Sequence, residues 1–385
     1  MSRLITAPAS TIPLVQQSLQ QLPRAESESA KERSARTRAN LLLALWRLGR
    51  SETACGELHA STDPRLRYHL IHGLATCRID PASVGDALIH GGDASVRAAL
   101  ILALGDYDDE TVPAAVRSAV LTRCDESYRT HPDTGVHSAA QWLMAKWGYS
   151  AAPVQHPLET ATARGTKWFT NSQGQTFAIL RHPENSKVVS KSFALSTMPV
   201  TVAQYRAFRP EYSPDKGLVP EVDCPVNMVS FYDAAAYCNW LTEQERLPLS
   251  EICYSFTYSA KGKPTAAQVS LNRRGYQLVT EDEWKIAYRA GATTGYFFGE
   301  QADYLPRYAR FYDNTQGHVW PVTSVRPNAF GMFDICGNLA TWAHRLTANL
   351  ERKEEIMLGG TWSSQGKYLR WDEERIGTAG SFYTN

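Results

Sequence analysis

The sequence is short of cysteine, of net charge and of long apolar runs, and each shortage removes a class of function. Seven cysteines in 385 residues are an odd number, thinly spread at positions 55, 77, 124, 224, 238, 253 and 336, with no CxxC pair. A disulfide framework or a zinc knuckle needs tighter spacing. The thiols therefore read as reduced, mostly small core residues of a cytoplasmic protein. Lys and Arg number 40 against 39 Asp and Glu, a formal charge of +1. A nucleic-acid-coating protein or an acidic tail needs a large excess of one sign, so no nucleic acid is expected as a partner. No apolar run approaches the roughly 20 residues that span a bilayer, and no membrane partner is expected either. The opening MSRLITAPASTIPLVQQSLQQ has no apolar block of secretory type.

What is present suffices for well-packed cores: 43% of residues are hydrophobic and 10% aromatic, which excludes wholesale disorder. The length suggests two or three domains. Residues 1–38 read as a weakly ordered tail or solvated helix, with the charged stretch Arg24–Arg38 lacking an apolar stripe. Asp63, Asp93 and Asp133 then open three similar segments, DPRLRYHLIHGLA, DASVRAALILALG and DTGVHSAAQWLMA. Leu66, Val96 and Val136 follow three residues later, and next come Arg67, Arg97 and His137. Offsets of 3, 7 and 11 share one helical face, and a leading Asp is a good N-cap. Shorter helices are expected at Pro81–Ile89 and Pro113–Arg123. Paired helices at this period predict an all-α, HEAT-like solenoid over residues 39–148, closed by Trp142 and Trp147. His69, His72 and Cys77 lack the further ligands that a metal site needs.

A linker is expected over residues 149–166, and a second domain over 167–385. WFTNSQGQTFAIL reads as a hairpin, and Ser192–Ser196 as another strand. Thr201 starts a short helix. Ser230 caps a longer one whose apolar stripe includes Cys238. Residues 245–275 give few signals. Thr280 and Glu283 fit a capping box, with Gly291 as the stop. Acidic Glu281, Asp282 and Glu283 sit where a helix N-terminus favours negative charge. From Phe297 the chain is irregular and aromatic, so its order rests on side-chain-to-backbone hydrogen bonds or a bound ion.

Five ordered blocks carry a resemblance: PVTVAQYRAF (199–208), PVNMVSFYDAAAYCNWL (225–241), YQLVTEDEWKIAYRAG (276–291), PVTSVRPNAFGMFDICGNLATW (321–342) and LGGTW (358–362). The second domain resembles the formylglycine-generating enzymes, or sulfatase-modifying factors, whose fold is a variant of the C-type lectin fold. The expected class is α+β: a helical solenoid followed by a lectin-like domain with much irregular structure.

The resemblance implies oxidation of a sulfatase cysteine to formylglycine by oxygen and a copper ion on two cysteines. Those thiolates suit Cu(I). Counted from Gly359, the paired positions fall on Ser364 and Leu369, and no cysteine lies beyond Cys336. Copper is therefore not expected, nor any other certain cofactor. The family's GN-x-x-E-W turn reads Gly337-Asn338-Leu339-Ala340-Thr341-Trp342, leaving Asn338 and the backbone of Leu339 as a weak calcium candidate. The family's closing Gly-Phe-Arg strand is expected to be missing, since the sequence given ends at Asn385. No His-x3-His-x-Glu triad of the related sulfoxide synthases occurs.

The resulting expectation is a non-catalytic module that binds another protein or a peptide, in a regulatory or scaffold protein of bacterial signalling or defence. Its presented face is Ser363–Asn385 with Ser364, Tyr368, Arg370, Trp371, Arg375 and Tyr383, joined by Tyr312, residue types frequent at binding hot spots. The alternative is a copper-dependent cysteine oxidase using Cys224, Cys238, Cys253 or Cys336.

Overall fold

The computed structural model describes residues 11–23, 25–108, 110–183, 192–261, 264–346 and 353–373. It falls into two units, one of Met1–Ala152 with Gly291–Gln301 and one of Pro153–Ala290 with Ala302–Asn385. The class is α+β, with a helical N-terminal region before a domain of mixed helices and small sheets.

The first unit contains α1 (Thr11–Gln20), α2 (Glu28–Arg47), α3 (Ser51–Cys55), α4 (Arg65–Thr76), α5 (Pro81–His90), α6 (Ala94–Leu104), α7 (Ala114–Thr130) and α8 (Thr134–Lys146). The repeated segments form α4, α6 and α8. Asp93 caps α6 by accepting from Val96 N at 2.9 Å. Asp133 caps α8 by accepting from Gly135 N at 3.0 Å. The first repeat departs from this pattern. Pro64 occupies the N-cap with a near-helical φ of −82°, so Asp63 is displaced outward and accepts from Arg65 N at 3.2 Å. At offsets 7 and 11 the residues are buried as the periodicity requires, as are Val96 and Val136 at offset 3, while Leu66 is only partly buried.

Charged side chains are unusually well housed in this unit. Arg65 is 3% exposed and pairs with Glu28, Glu32 and Asp63. His69 meets Glu32 and His72 meets Asp106, each at 2.7 Å. The two imidazoles thus engage different carboxylates and do not converge on a metal. Tyr68 packs against Phe297 and Phe298 of the same unit, with ring centroids 6.3 and 6.0 Å away.

In the second unit α9 (Leu158–Arg164) precedes a three-stranded antiparallel sheet of β1 (Trp168–Thr170), β2 (Thr176–Arg181) and β3 (Ser192–Ser196). Gly174, at φ 73°, lets the β1–β2 hairpin turn. The helices α10 (Val202–Phe208) and α11 (Phe231–Gln244) begin at capping boxes, Thr201 with Gln204 and Ser230 with Asp233. Next comes a hairpin of β4 (Tyr254–Tyr258) and β5 (Pro264–Val269). Finally β6 (Val279–Thr280), α12 (Glu281–Arg289), β7 (Thr341–Leu346) and β8 (Lys353–Leu358) form a strand–helix unit, with β6 parallel and β8 antiparallel to β7.

Thr280 and Glu283 make the expected capping box. Glu281 is spent on Lys285 and Arg345, each at 2.7 Å. The helix ends on Ala290 in the left-handed region before Gly291. No helix among the described residues is long and apolar enough to cross a membrane.

Candidate functional site

The site is built where β8 runs into two glycines. Gly359 and Gly360 have φ of 90° and 71°, a conformation that costs any residue with a Cβ. Space enforces the same choice. A Cβ on Gly359 would lie 2.9 Å from Ile335 O, and one on Gly360 would strike Leu369 Cδ2 while lying 3.2 Å from Ser364 Oγ. Ser364 and Leu369 are therefore side-chain neighbours across the Gly360 backbone, exposed only 1% and 0%.

Ser364 closes its own turn. Its Oγ accepts from Thr361 N at 2.9 Å, and its N donates to Thr361 O at 3.0 Å. Its carbonyl accepts from Tyr312 N at 3.1 Å. Leu369 O accepts from the Tyr288 hydroxyl at 2.6 Å. These are the two positions at which the resemblance implies a copper-binding cysteine pair. Cu(I) requires soft ligands. A hydroxyl engaged within its own turn and a leucine methyl supply none, so these positions do not fit the metal.

The cysteines offered as substitutes are placed elsewhere. Cys238 and Cys253 share a core with Phe231, Ala235, Tyr254 and Trp342. Burial pushes the Cys253 thiol up to about 11, and that of Cys238 higher still. Cys224 is packed with Val202, Val219 and Val319, and its thiol donates to Val319 O at 3.6 Å. Cys336 is fully buried, and burial raises its thiol to about 12. Thiolate is the metal-binding and nucleophilic form, so each of these sites works against it.

Beside the glycines lies a staple made by Asn338. This residue is buried and left-handed, with φ 57°. Its Oδ1 accepts from Trp320 N at 3.0 Å, and its Nδ2 donates to Trp320 O at 2.8 Å. Its backbone N donates to Arg310 O at 2.6 Å, and its backbone O accepts from Trp362 N at 2.8 Å. Asn338 thus ties together the segments at 310, 320 and 362, with both amide atoms engaged. Leu339 packs beside Val202 and Val319.

Sequence reasoning missed the group next to it. Asp334 is 2% exposed, and burial pushes its carboxyl up to about 7 against the Thr323 amide, Arg310 and Asn338, which favour the charge. Its Oδ2 has no hydrogen-bond partner. That oxygen is the one a hard cation would find here, and the signal was available in the acidic residue standing four before Asn338. Among the described residues no three His, Cys, Asp or Glu gather as a metal cluster.

The expected binding residues divide by exposure. Tyr312 is 67% exposed and Tyr368 37%, and Lys367 Nζ lies 4.7 Å over the Tyr368 ring. Trp371 lies under Arg289, 4.9 Å from its ring centre, with Lys285 at 6.0 Å. Arg370 pairs with Asp372 at 3.0 Å. Arg375 and Tyr383 lie outside the described residues. The neighbouring Tyr308 and Phe311 are buried, whereas Tyr312 presents its ring to solvent.

A separate cavity of about 2050 Å³ lies among β1–β3, α11 and α12, lined by Phe177, Leu195, Tyr237, Trp284 and Met332 among others. It is larger than the roughly 300–1,000 Å³ of an ordinary ligand pocket and reaches neither Ser364 nor Leu369.

Comparison with known proteins places these features in context. The Sulfatase-modifying factor enzyme 1-like domain family matches residues 150–383. A formylglycine-generating enzyme of Mycobacterium tuberculosis is 26% identical over 228 residues, 49% of this chain and 67% of that protein. The inactive C-alpha-formylglycine-generating enzyme 2 of Bos taurus is 25% identical over 169 residues, 41% of this chain and 45% of that one. Among solved structures, Treponema denticola variable protein 1 has a TM-score of 0.44 at 20% identity, covering 54% of this chain and 91% of that chain. CarF has a TM-score of 0.38 at 21% identity, covering 50% and 82%.

Proposed function

The chain belongs to the Sulfatase-modifying factor enzyme 1-like family through residues 150–383, and on that premise we propose that this domain is a non-catalytic module that binds a protein or peptide. One observation carries the reading. At the paired positions the chain has Ser364 and Leu369, packed together around Gly360 and committed to the fold. Oxygen activation on that pair then has no metal-binding centre. A family relative in Bos taurus whose own name calls it inactive is in keeping with this.

The presented surface comprises the exposed Tyr312, whose backbone N is held by Ser364 O, and the segment carrying Tyr368 and Trp371, the latter beside Arg289 and Lys285 of α12. Exposed aromatic rings beside fixed positive groups suit a partner that offers an apolar side chain next to a carboxylate. A regulatory or scaffold role in a bacterial cytoplasm follows as the broader setting.

The test is to capture partners with the whole chain and measure affinity for each with Tyr312→Ala and Trp371→Ala. Affinity is expected to fall about tenfold or more, with the unfolding temperature unchanged. Unaltered affinity in both variants would mean that this face is not the one used.

A further inference from the structure

Polar atoms buried without a partner gather on the walls of the cavity among β1–β3, α11 and α12. Among the described residues, His182 Nε2, Gln277 Oε1, Trp284 Nε1 and Asp334 Oδ2 are shielded from solvent and make no hydrogen bond. All four residues line the cavity. A buried donor or acceptor left in that state costs free energy, and a space of about 2050 Å³ stands beside them.

Direct contacts place His182. It follows β2, and its ring centre lies 4.8 Å from that of Phe193 on β3. Phe193 packs with Leu195, Met332 and Ile335 in one cluster with Ala287 of α12. Glu283, the third residue of α12, approaches the imidazole from the helix. Its Oε2 accepts from Thr280 N at 2.9 Å and from Thr280 Oγ at 2.8 Å, completing the capping box. Its Oε1 lies 3.7 Å from His182 Nε2, and the two side chains are only 13% and 4% exposed.

That separation is too long for a hydrogen bond, but an oxygen set to one side of the line can lie about 2.8 Å from each atom. A hydroxyl there accepts from the His182 Nε2–H and donates to Glu283 Oε1. A carboxylate would instead face the Glu283 carboxylate, and an ammonium would offer the imidazole N–H no acceptor. The cations of α12 that line the cavity are held by other groups. Lys285 pairs with Glu281 at 2.7 Å, and Arg289 lies 4.9 Å over the Trp371 ring. The edge of the lining reaches Asn272, Arg273 and Arg274, which are exposed, so a ligand has a way in.

We propose that this cavity binds an uncharged, largely apolar molecule of the long-chain alcohol type, its hydroxyl oxygen bridging His182 Nε2 and Glu283 Oε1. Apolar walls with a few placed polar groups are how small-molecule sites fix the orientation of what they hold. The cavity reaches neither Ser364 nor Leu369, so the inference does not rest on the loss of the thiol pair.

Displacement of Nile red from the full chain tests it, with dodecanol and dodecanoate as matched competitors at concentrations where both stay in solution. The dye should bind saturably, and dodecanol should displace it at about tenfold lower concentration than dodecanoate. His182→Phe keeps a ring against Phe193 but removes the donor, and should weaken dodecanol about fivefold. Glu283→Gln keeps an oxygen for the Thr280 cap and turns an N–H towards His182. Two donors then face the ligand oxygen, and dodecanoate should overtake dodecanol. A purely structural role of the pair would move both competitors alike, so the exchange of preference is the decisive reading. Should His182→Phe fail to fold, Glu283→Gln carries the comparison. Absence of saturable dye binding, equal displacement by the two competitors in the native chain, or an unchanged preference in Glu283→Gln overturns the proposal.

Discussion

Asp334 and Asn338 show at single-residue scale how an irregular segment is held. The Asp334 carboxyl is pushed up to about 7 by burial, from an ordinary value of 3.8. Between those values the folded chain keeps a proton that the unfolded chain releases, so stability falls as pH rises from about 4 to 7 and stays lowest above that. Asp334→Asn removes this penalty while keeping an oxygen for Asn338 Nδ2. Urea unfolding should find the variant more stable by on the order of 2 kcal/mol at pH 8, with little difference at pH 4. A loss of stability at pH 8 would mean that Arg310 and the hydrogen bonds to the carboxylate outweigh its burial. Asn338→Ala is expected to act the other way. It forfeits both bonds to Trp320 and strands buried backbone groups, so a cost of about 2–4 kcal/mol is expected at any pH.

Among the elements, the turn after β8 decides the chemistry. Gly360→Ala places a methyl against Leu369 at φ 71°, and should cost about 2–4 kcal/mol in thermal or urea unfolding. Adding Leu369→Ala should recover part of that loss, because the steric conflict is with that side chain. A strictly additive double variant would show that backbone strain alone is responsible.

Elements with local start signals were legible in the sequence. The helix starts at Thr201 and Ser230, the capping box at Thr280, the N-caps at Asp93 and Asp133 and the hairpin turn at Gly174 all depend on residues within a few positions of one another. The β4–β5 hairpin was not legible, since its strands carry Tyr254, Phe256, Ala267 and Val269 to pack on α11, a contact that local pattern does not reveal. Within the site, the Gly359–Gly360 pair stands in the sequence itself, while Ser364 and Leu369 were reached only by counting from it along the family resemblance. Exposure could not be read: Tyr308 and Phe311 are buried beside an exposed Tyr312, because an irregular chain gives no periodicity from which to infer a face.

At the scale of the whole molecule, a helical region precedes a domain of the Sulfatase-modifying factor enzyme 1-like family, with Ser364 and Leu369 at the positions where the resemblance implies a thiol pair. Two of its motifs hold the fold directly: Gly337 N donates to Gly359 O at 2.8 Å, and Asn338 bridges three segments. The central claim is the absence of a copper centre, and the most direct measurement is Cu(I) titration of the full chain against a competing chelator, with oxygen uptake followed alongside a cysteine-containing sulfatase peptide. The account predicts no stoichiometric copper retained against the chelator and no oxygen consumed above the peptide alone. Tight one-to-one copper with turnover of the peptide would contradict it and assign catalysis to other cysteines of the chain.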